Sequence, residues 1–331
     1  MRNVIVRWRQ VIFAFALAAL AATPLCGQSD PCLHRTVPVN VLTAKGETVT
    51  GLTPENFKAS FHRKPVKIVS VTEDKGPRRV LIVLDSSGSM IAHRREWQVY
   101  VGVARDLTRL LPPDGSIGLV VFTSKIEKYI PLTRDRAEIQ KELAWLQAGT
   151  EKFEGKTSLW DTVSVASSEF DAPQEGDAIY AITDGGDNTS KTRLNQLREI
   201  LSEKRIRLFM FSKQTLPDED ISTEHVGLMN IQDLADSTGG HAVRIHPNAQ
   251  EDVPKLTDKS GKATPEGALV LRQFGEIFTF NRVEIELPER FEKSQEWSLD
   301  TKGLTAHDLL LTYPRRLAGC GTAPAAAVAK H

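Results

Sequence analysis

Cysteine is scarce in this chain, with three in 331 residues at positions 26, 32 and 320. There is no Cys-x-x-Cys pair and no Cys/His spacing that suits a structural zinc site. Charge of one sign is also missing, because Lys and Arg total 42 and Asp and Glu total 42. Met1 to Gly27 holds Arg2, Arg7 and Arg9 and no acid, so the remainder carries 39 basic against 42 acidic residues. A slightly acidic chain lacks the electrostatic footprint of a nucleic-acid binder. No uninterrupted apolar run reaches the roughly 20 residues of a membrane-spanning helix. The G-x-S-x-G elbow of serine hydrolases is absent as well. What is present is 40% hydrophobic composition over a length that can bury a full core and divide into more than one domain.

The first 27 residues read as an export signal. A basic start precedes Val11 to Ala22, about a dozen apolar and small residues, and a Thr23-Pro24 break follows. A cleaved signal and an uncleaved anchor both remain open, with export to the periplasm, cell surface or medium in either case. Thr23-Pro24-Leu25 ahead of Cys26 lacks the small-residue run of a lipobox, which argues against lipidation. With the signal removed, Cys32 and Cys320 remain, and in an oxidising compartment they can either close the chain end to end or stay as two unrelated thiols.

Three patterned segments follow. Residues 36–76 alternate like short strands, with Val37, Val39 and Val41 on one face, then Phe57 to Phe61 and Val66 to Val71, and with turns at Ala44-Lys45-Gly46-Glu47 and His62-Arg63-Lys64-Pro65. Residues 78–247 alternate strands (Val80 to Leu84, Ile117 to Thr123, Lys125 to Ile130, Ala178 to Thr183, Arg207 to Ser212, His241 to Arg244) with helical stretches. The helical stretches are Ile91 to Leu111, Arg134 to Leu146, Leu159 to Phe170, Thr192 to Lys204 and Met229 to Thr238. This alternation predicts a doubly wound α/β fold with a mostly parallel sheet and helices on both faces. The Lys125 strand follows its predecessor too closely for a crossover and is expected as an antiparallel edge. In the first helix Trp97, Val101, Ala104 and Leu111 mark one apolar face and Val99, Val103 and Leu110 a second, which predicts deep burial on two sides. A polar stretch, Glu251 to Lys262, leads to a C-terminal β extension over 265–317, with strand signals at Ile277 to Phe280, Arg282 to Leu287 and Leu309 to Tyr313. The Ala-rich residues 321–331 read as a disordered tail.

The chemistry gathers at the ends of the apolar strands. Asp85-Ser86-Ser87-Gly88-Ser89-Met90 follows Val80 to Leu84 and precedes a helix, at the sheet edge where doubly wound folds place ligands. Asp85, Ser87 and Ser89 offer a carboxylate and two hydroxyls that suit a hard divalent cation. The same residue types also serve as helix caps, so the motif alone divides evenly between the two roles. Two further turns shift the balance: Gly155-Lys156-Thr157 at a helix start and Thr183-Asp184-Gly185 at the end of Ala178 to Ile182.

Taken together, these residues resemble the von Willebrand factor type A domain and its metal-ion-dependent adhesion site. That site pairs D-x-S-x-S with a threonine in a G-x-T turn and an aspartate in a T-D-G turn. The resemblance implies that Asp85, Ser87, Ser89, Thr157 and Asp184 form the metal set. It further implies that Ser87 and Ser89 bind Mg2+ (or Mn2+/Ca2+) directly, that Thr157 binds directly or through water, and that the aspartates act largely through waters. An open position would accept an Asp or Glu carboxylate from a protein partner. Gly51 to Phe57 further resembles the leading segment of bacterial, especially acidobacterial, secreted proteins of the "VWFA-related" type. Asp187 and Asn188 are expected to shape the Gly185-Gly186 turn, and Asp161 to complement the dipole of its own helix.

Enzymatic readings find no support. Five residues separate Gly149 from Gly155 where a phosphate-binding loop needs four, and the segment before it reads as helix, so no nucleotide is expected. An aspartyl phosphotransferase would want an acid where Ser87 stands. His93 lies near Ser89 without a partner pattern, and His241 is expected to pack at a strand end. The residues therefore point to a cation-dependent protein-binding module with no catalytic role. The alternatives are a scaffold whose flanking β segments make the contacts over a vestigial site and, less in keeping with export, an accessory subunit of a chelatase-like complex.

Overall fold

The structure, a computed structural model, describes residues 30–92, 94–149, 155–213, 223–245, 256–258, 260–304 and 308–320. The expected export signal, His93, residues 251–255 and 259 of the polar stretch and the tail at 321–331 lie outside the described residues. The described residues from Cys32 onward fall in one compact unit. Its chain runs through β1 (His34–Leu42), a 3-10 turn at Pro54–Asn56, β2 (Phe57–Phe61), β3 (Lys64–Asp74), β4 (Arg79–Asp85), α1 (Gly88–Ile91) and α2 (Arg94–Leu110). Next come β5 (Ser116–Phe122), β6 (Ile126–Thr133), α3 (Ala137–Ala148), α4 (Leu159–Ala166), a 3-10 turn at Ser167–Phe170, β7 (Ala178–Ile182), α5 (Leu194–Glu203) and β8 (Arg207–Lys213). The remainder is α6 (Thr223–Ser237), β9 (Ala242–Ile245), α7 (Pro265–Phe278), β10 (Phe280–Glu286), β11 (Gln295–Glu296), β12 (Ser298–Thr301), β13 (Leu310–Thr312) and β14 (Arg316–Leu317).

One sheet has the order β6-β5-β4-β7-β8-β9. Every neighbouring pair is parallel except β5 and β6, so the edge strand runs antiparallel as the short connection requires. Its central strands are apolar throughout because both faces are covered. Val80, Ile82 and Leu84 point to a core shared with α2, α3 and α7. Leu81 and Val83 point to a second core with α4, α5 and α6. The two-sided burial expected of the first helix holds except at its end. Trp97, Val101, Ala104 and Leu111 on one face and Val103 on the other are buried and Val99 packs on the same core, but Leu110 is 41% exposed, and Arg95, Arg105 and Arg109 turn to solvent.

The strands on either side of this α/β unit meet in a second sheet of order β12-β2-β3-β10-β1-β13. β10 pairs antiparallel with both β1 and β3, joining residues more than 200 positions apart. Val39, Val41, Phe61, Val283, Ile285 and Leu299 form its core. β2 and β3 are joined by a two-residue turn in which His62 and Arg63 both take positive φ, the twist that hairpins favour. The strand expected from Ile277 to Phe280 begins only at Phe280. Ile277 and Phe278 instead complete α7, whose Val270, Phe274 and Ile277 recur at helical spacing against the parallel sheet. Thr264 caps that helix, its Oγ1 accepting from Gly267 N at 3.0 Å, and Pro265 starts it.

Arg207, fully buried on β8, ties the two sheets and α7 together. Its Nε donates to Gly239 O (2.9 Å), Nη1 to Glu276 O (2.9 Å) and Nη2 to Asn40 Oδ1 on β1 (2.6 Å). Its guanidinium also lies 4.7 Å from the Phe209 ring centroid. Burial pushes it down to about 10, with Glu276 opposing and Arg78 adding to the shift, so it stays charged at neutral pH. Nearby, Glu276 sits 3.3 Å from Arg272 Nε and 3.4 Å from His241 Nδ1. Neither ring nitrogen of His241 makes a hydrogen bond. Burial, and then Arg272 and Arg207, push His241 down to about 3. Glu276 is already shared by two guanidiniums and does not reverse this.

Two outcomes follow for stability. Arg207→Met leaves three buried acceptors without their donor and Glu276 with Arg272 as its remaining guanidinium, and should lower the unfolding free energy by about 3–5 kcal/mol in a denaturant titration. His241 is neutral in both states above pH 6.5, whereas between 6.5 and about 3 only the unfolded chain takes up the proton. Stability should therefore fall as pH drops through that window, and His241→Gln should flatten this part of the pH–stability curve.

Candidate functional site

Four chain segments meet at the carboxyl edge of the parallel sheet. β4 delivers Asp85, which has no exposed surface. Its Oδ1 accepts from Ser87 N at 2.9 Å and its Oδ2 from the Thr183 hydroxyl at 2.8 Å. Ser86 fixes the neighbouring strand end, because its N and Oγ both donate to Phe122 O (2.8 and 2.9 Å). Ser87 occupies the N-cap position of α1, yet its side chain makes no capping bond. Its Oγ lies 3.3 Å from Ser89 Oγ instead. The hydroxyl pair is therefore not used for capping, which was the competing role for this motif.

β7 delivers the second carboxylate. Thr183 ends the strand, with its N bonded to Phe211 O (3.2 Å), and its hydroxyl oxygen accepts from Gly185 N (3.1 Å) while donating to Asp85. Gly185 takes φ +88, a left-handed conformation that glycine adopts without strain and that turns the chain directly after Asp184. Asp184 Oδ1 accepts from Gly186 N (3.0 Å), and its side chain is partly open to solvent.

Thr157 is placed by the loop that follows Asp184. Its N donates to Asn188 Oδ1 (2.9 Å), and its carbonyl accepts from Asn188 N (3.1 Å), Thr189 N (3.2 Å) and Thr189 Oγ1 (2.8 Å). The residue is only 4% exposed. Asp187 Oδ1 then accepts from Leu159 N (3.1 Å) and Ser190 Oγ from Asp161 N (3.0 Å), so the first turn of α4 is capped by the other loop. Ser158 anchors the segment to the end of β5 through Thr123 O, from both N (3.0 Å) and Oγ (3.1 Å). Asp161 does more than complement its own helix. Its carboxylate accepts from Lys191 N and Thr192 N, and although burial opposes it, the bonds from Thr192 and Lys191 hold the group below the usual range.

The electrostatics favour a cation. Burial and the neighbouring Asp184 carboxylate push Asp85 up to about 7, against the hydrogen bonds from Ser87 and Thr183. No cationic side chain is among the groups that shift it. Tyr100 on α2 faces the same cluster. Burial, then Glu96, Asp184 and Asp85, raise its phenol so that it stays protonated. Among the described residues, no group of three or more His, Cys, Asp and Glu could hold a metal. The donors at this edge are two carboxylates and three hydroxyls, an all-oxygen set that suits Mg2+, Mn2+ or Ca2+. Sequence reasoning passed over Thr183 and Tyr100. The first carried a signal, a hydroxyl closing an otherwise apolar strand beside the proposed ligand, and the second is visible only once α2 is packed.

A doubly wound α/β unit of this strand order, with a D-x-S-x-S turn, a threonine turn and an aspartate turn at one sheet edge, defines a fold class. Residues 80–187 match the family model of the von Willebrand factor type A domain, and the chain carries that domain. Similar solved structures include the conserved hypothetical protein BatB from Bacteroides thetaiotaomicron, at 18% identity and TM-score 0.44, covering 61% of this chain and 98% of that one. Proximal thread matrix protein 1 from the mussel byssus, with a zinc-occupied MIDAS motif, matches at 14% identity and TM-score 0.47, covering 65% and 50%. A von Willebrand factor type A protein from Catenulispora acidiphila matches at 12% identity and TM-score 0.44, covering 88% and 75%. No curated protein matches significantly.

Thr183 holds one oxygen of Asp85 and turns the Asp184 loop at the same time. Thr183→Val should therefore weaken Mg2+ or Mn2+ binding by about 10–100-fold, the usual effect of losing a group that orients a ligand, as read by calorimetric titration of the folded variant.

Proposed function

We propose that this protein is exported and that its von Willebrand factor type A domain binds a partner protein through a divalent cation. In this reading Asp85, Ser87, Ser89, Thr157 and Asp184 hold the cation, Mg2+ with Mn2+ or Ca2+ as substitutes. The observation that carries the proposal is the fully buried Asp85 carboxylate, held by Ser87 N and the Thr183 hydroxyl and raised by burial and the neighbouring Asp184 carboxylate, with no cationic side chain among the groups that shift it. When bound, the cation offers a coordination position to a carboxylate of the partner. The chain's own residues do the rest. Thr183 and Ser87 N orient Asp85, Asn188 and Thr189 fix the Thr157 backbone, and the exposed Ser89 leaves the site open to an incoming Asp or Glu. Among the described residues at this edge no side chain is arranged as a nucleophile with a general base, and the reading is recognition rather than catalysis. The narrower kinship with secreted bacterial "VWFA-related" proteins belongs to the same proposal. Among the described residues no helix is long and apolar enough to cross a membrane.

Capture of partners from the producing cell's envelope and medium, with and without chelator, tests this reading. Partners should be lost on chelation, regained with Mg2+ and absent with Asp85→Ala. Capture that persists unchanged in chelator and in Asp85→Ala would favour the scaffold reading, in which the second sheet makes the contacts.

A further inference from the structure

The second sheet is assembled from the two ends of the chain, with the whole α/β unit inserted between β3 and α7. Among the described residues its halves are held together by the ladders that β10 makes with β1 and β3, the pairings of β12 with β2 and of β13 with β1, and a shared core. Cys32 lies just before β1 and Cys320 just after β14, both are partly exposed, and neither is in a disulfide.

The structure brings the two onto one side chain. Arg35 folds back so that its Nε donates to Cys32 O (3.1 Å), while its Nη2 donates to Ala318 O (3.3 Å) and lies 3.7 Å from Cys320 Sγ. The backbones converge too. Leu33 O accepts from Leu287 N (2.9 Å) and Phe291 O accepts from Cys320 N (2.7 Å), so the cysteines flank the same short segment after β10. Gly319 permits this approach, since a Cβ there would stand 1.9 Å from Glu292 O. Neither cysteine sits within a strand. A disulfide needs a Cα separation of roughly 4.4–6.8 Å, and the shared Arg35 contacts together with the two backbone bonds to the segment after β10 hold the two chain ends beside one another, with the Arg35 side chain the group to be displaced.

We propose that Cys32 and Cys320 form a disulfide that clasps the two halves of the second sheet. The oxidant is a small-molecule or protein disulfide. One cysteine thiolate attacks a sulfur of that disulfide and expels its first thiolate, and the other cysteine then attacks the mixed disulfide and expels the second. One S–S bond forms and one breaks. Two electrons pass from the protein to the donor, and the two protein thiol protons end on the released thiols. Because the closed loop spans nearly the whole described chain, the bond removes a large share of unfolded-state freedom. This inference stands independently of the cation site.

Oxidised glutathione applied to the full chain carrying Cys26→Ser tests it. Nonreducing tryptic mapping should join the peptide Gln10–Arg35 to Leu317–Lys330. The oxidised protein should melt several degrees above the reduced one, and Cys32→Ser and Cys320→Ser should each abolish both effects. If both thiols remain alkylatable after oxidation, if the link forms between chains, or if the oxidised form melts no higher than the reduced one, the clasp is wrong.

Discussion

The hydrogen bond from the Thr183 hydroxyl to Asp85 Oδ2 is the contact around which the candidate site is organised. It lies in the dry interior, between the ends of the two central strands β4 and β7. A buried carboxylate loses several kcal/mol of hydration, and hydrogen bonds to a charged group return about 1.5–3 kcal/mol each. Two such bonds are not enough once Asp184 adds its repulsion, and the raised Asp85 pKa expresses that deficit. The fold therefore holds a charge imbalance in place. The neighbouring strand end is held as firmly, through Ser86 on Phe122 and Ser158 on Thr123, so the imbalance cannot relax by moving the loops apart.

A second constraint acts at the opposite side of the sheet. Arg207 reaches from β8 to Asn40 on β1, to the carbonyl of Glu276 at the end of α7 and to Gly239 at the turn after α6. A hydrophobic residue would fill the volume but leave three acceptors without donors. Gln273 repeats the pattern nearby, accepting from Tyr180 on β7 and donating to Met210 O on β8. Helix α7 is thus attached to the parallel sheet by directional bonds as well as by Val270, Phe274 and Ile277. That fixes the exit of the α/β unit into β10 and, with it, the register of the second sheet.

The parallel sheet was legible from residue pattern because each of its signals is local. Continuous apolar strands mean two covered faces, and a connection too short for a crossover means an antiparallel edge. The positions of Asp85, Thr157 and Asp184 on one sheet edge followed from the same pattern. The second sheet was not legible as one object, since its alternating segments look alike whether they pair locally or across more than 200 residues. At Ile277 the short apolar run suited either helix or strand, and the helical period reaching back to Pro265 decides it. Asp161, Asp187 and Asn188 were read as serving their own turns. Their bonds run between the Thr157 and Asp184 loops, and spacing along the chain carries no trace of that partnership.

The donors at the sheet edge also differ in how they are held. Asp85 is fixed at a strand end by two bonds to its carboxylate, Asp184 follows a turn pinned by Thr183, and Thr157 sits in a backbone lattice supplied by Asn188 and Thr189. Ser89 is different. It is exposed and lies on α1, four residues long, and its hydroxyl lies 3.3 Å from that of Ser87. Ordering a side chain on binding commonly costs about 0.5–1.5 kcal/mol, and here most of that ordering is complete in the folded protein. Under the proposed cation reading, affinity would therefore be governed mainly by the charge of the two carboxylates and the desolvation around them, and adjustment to an incoming carboxylate would fall to the exposed donor on the short helix.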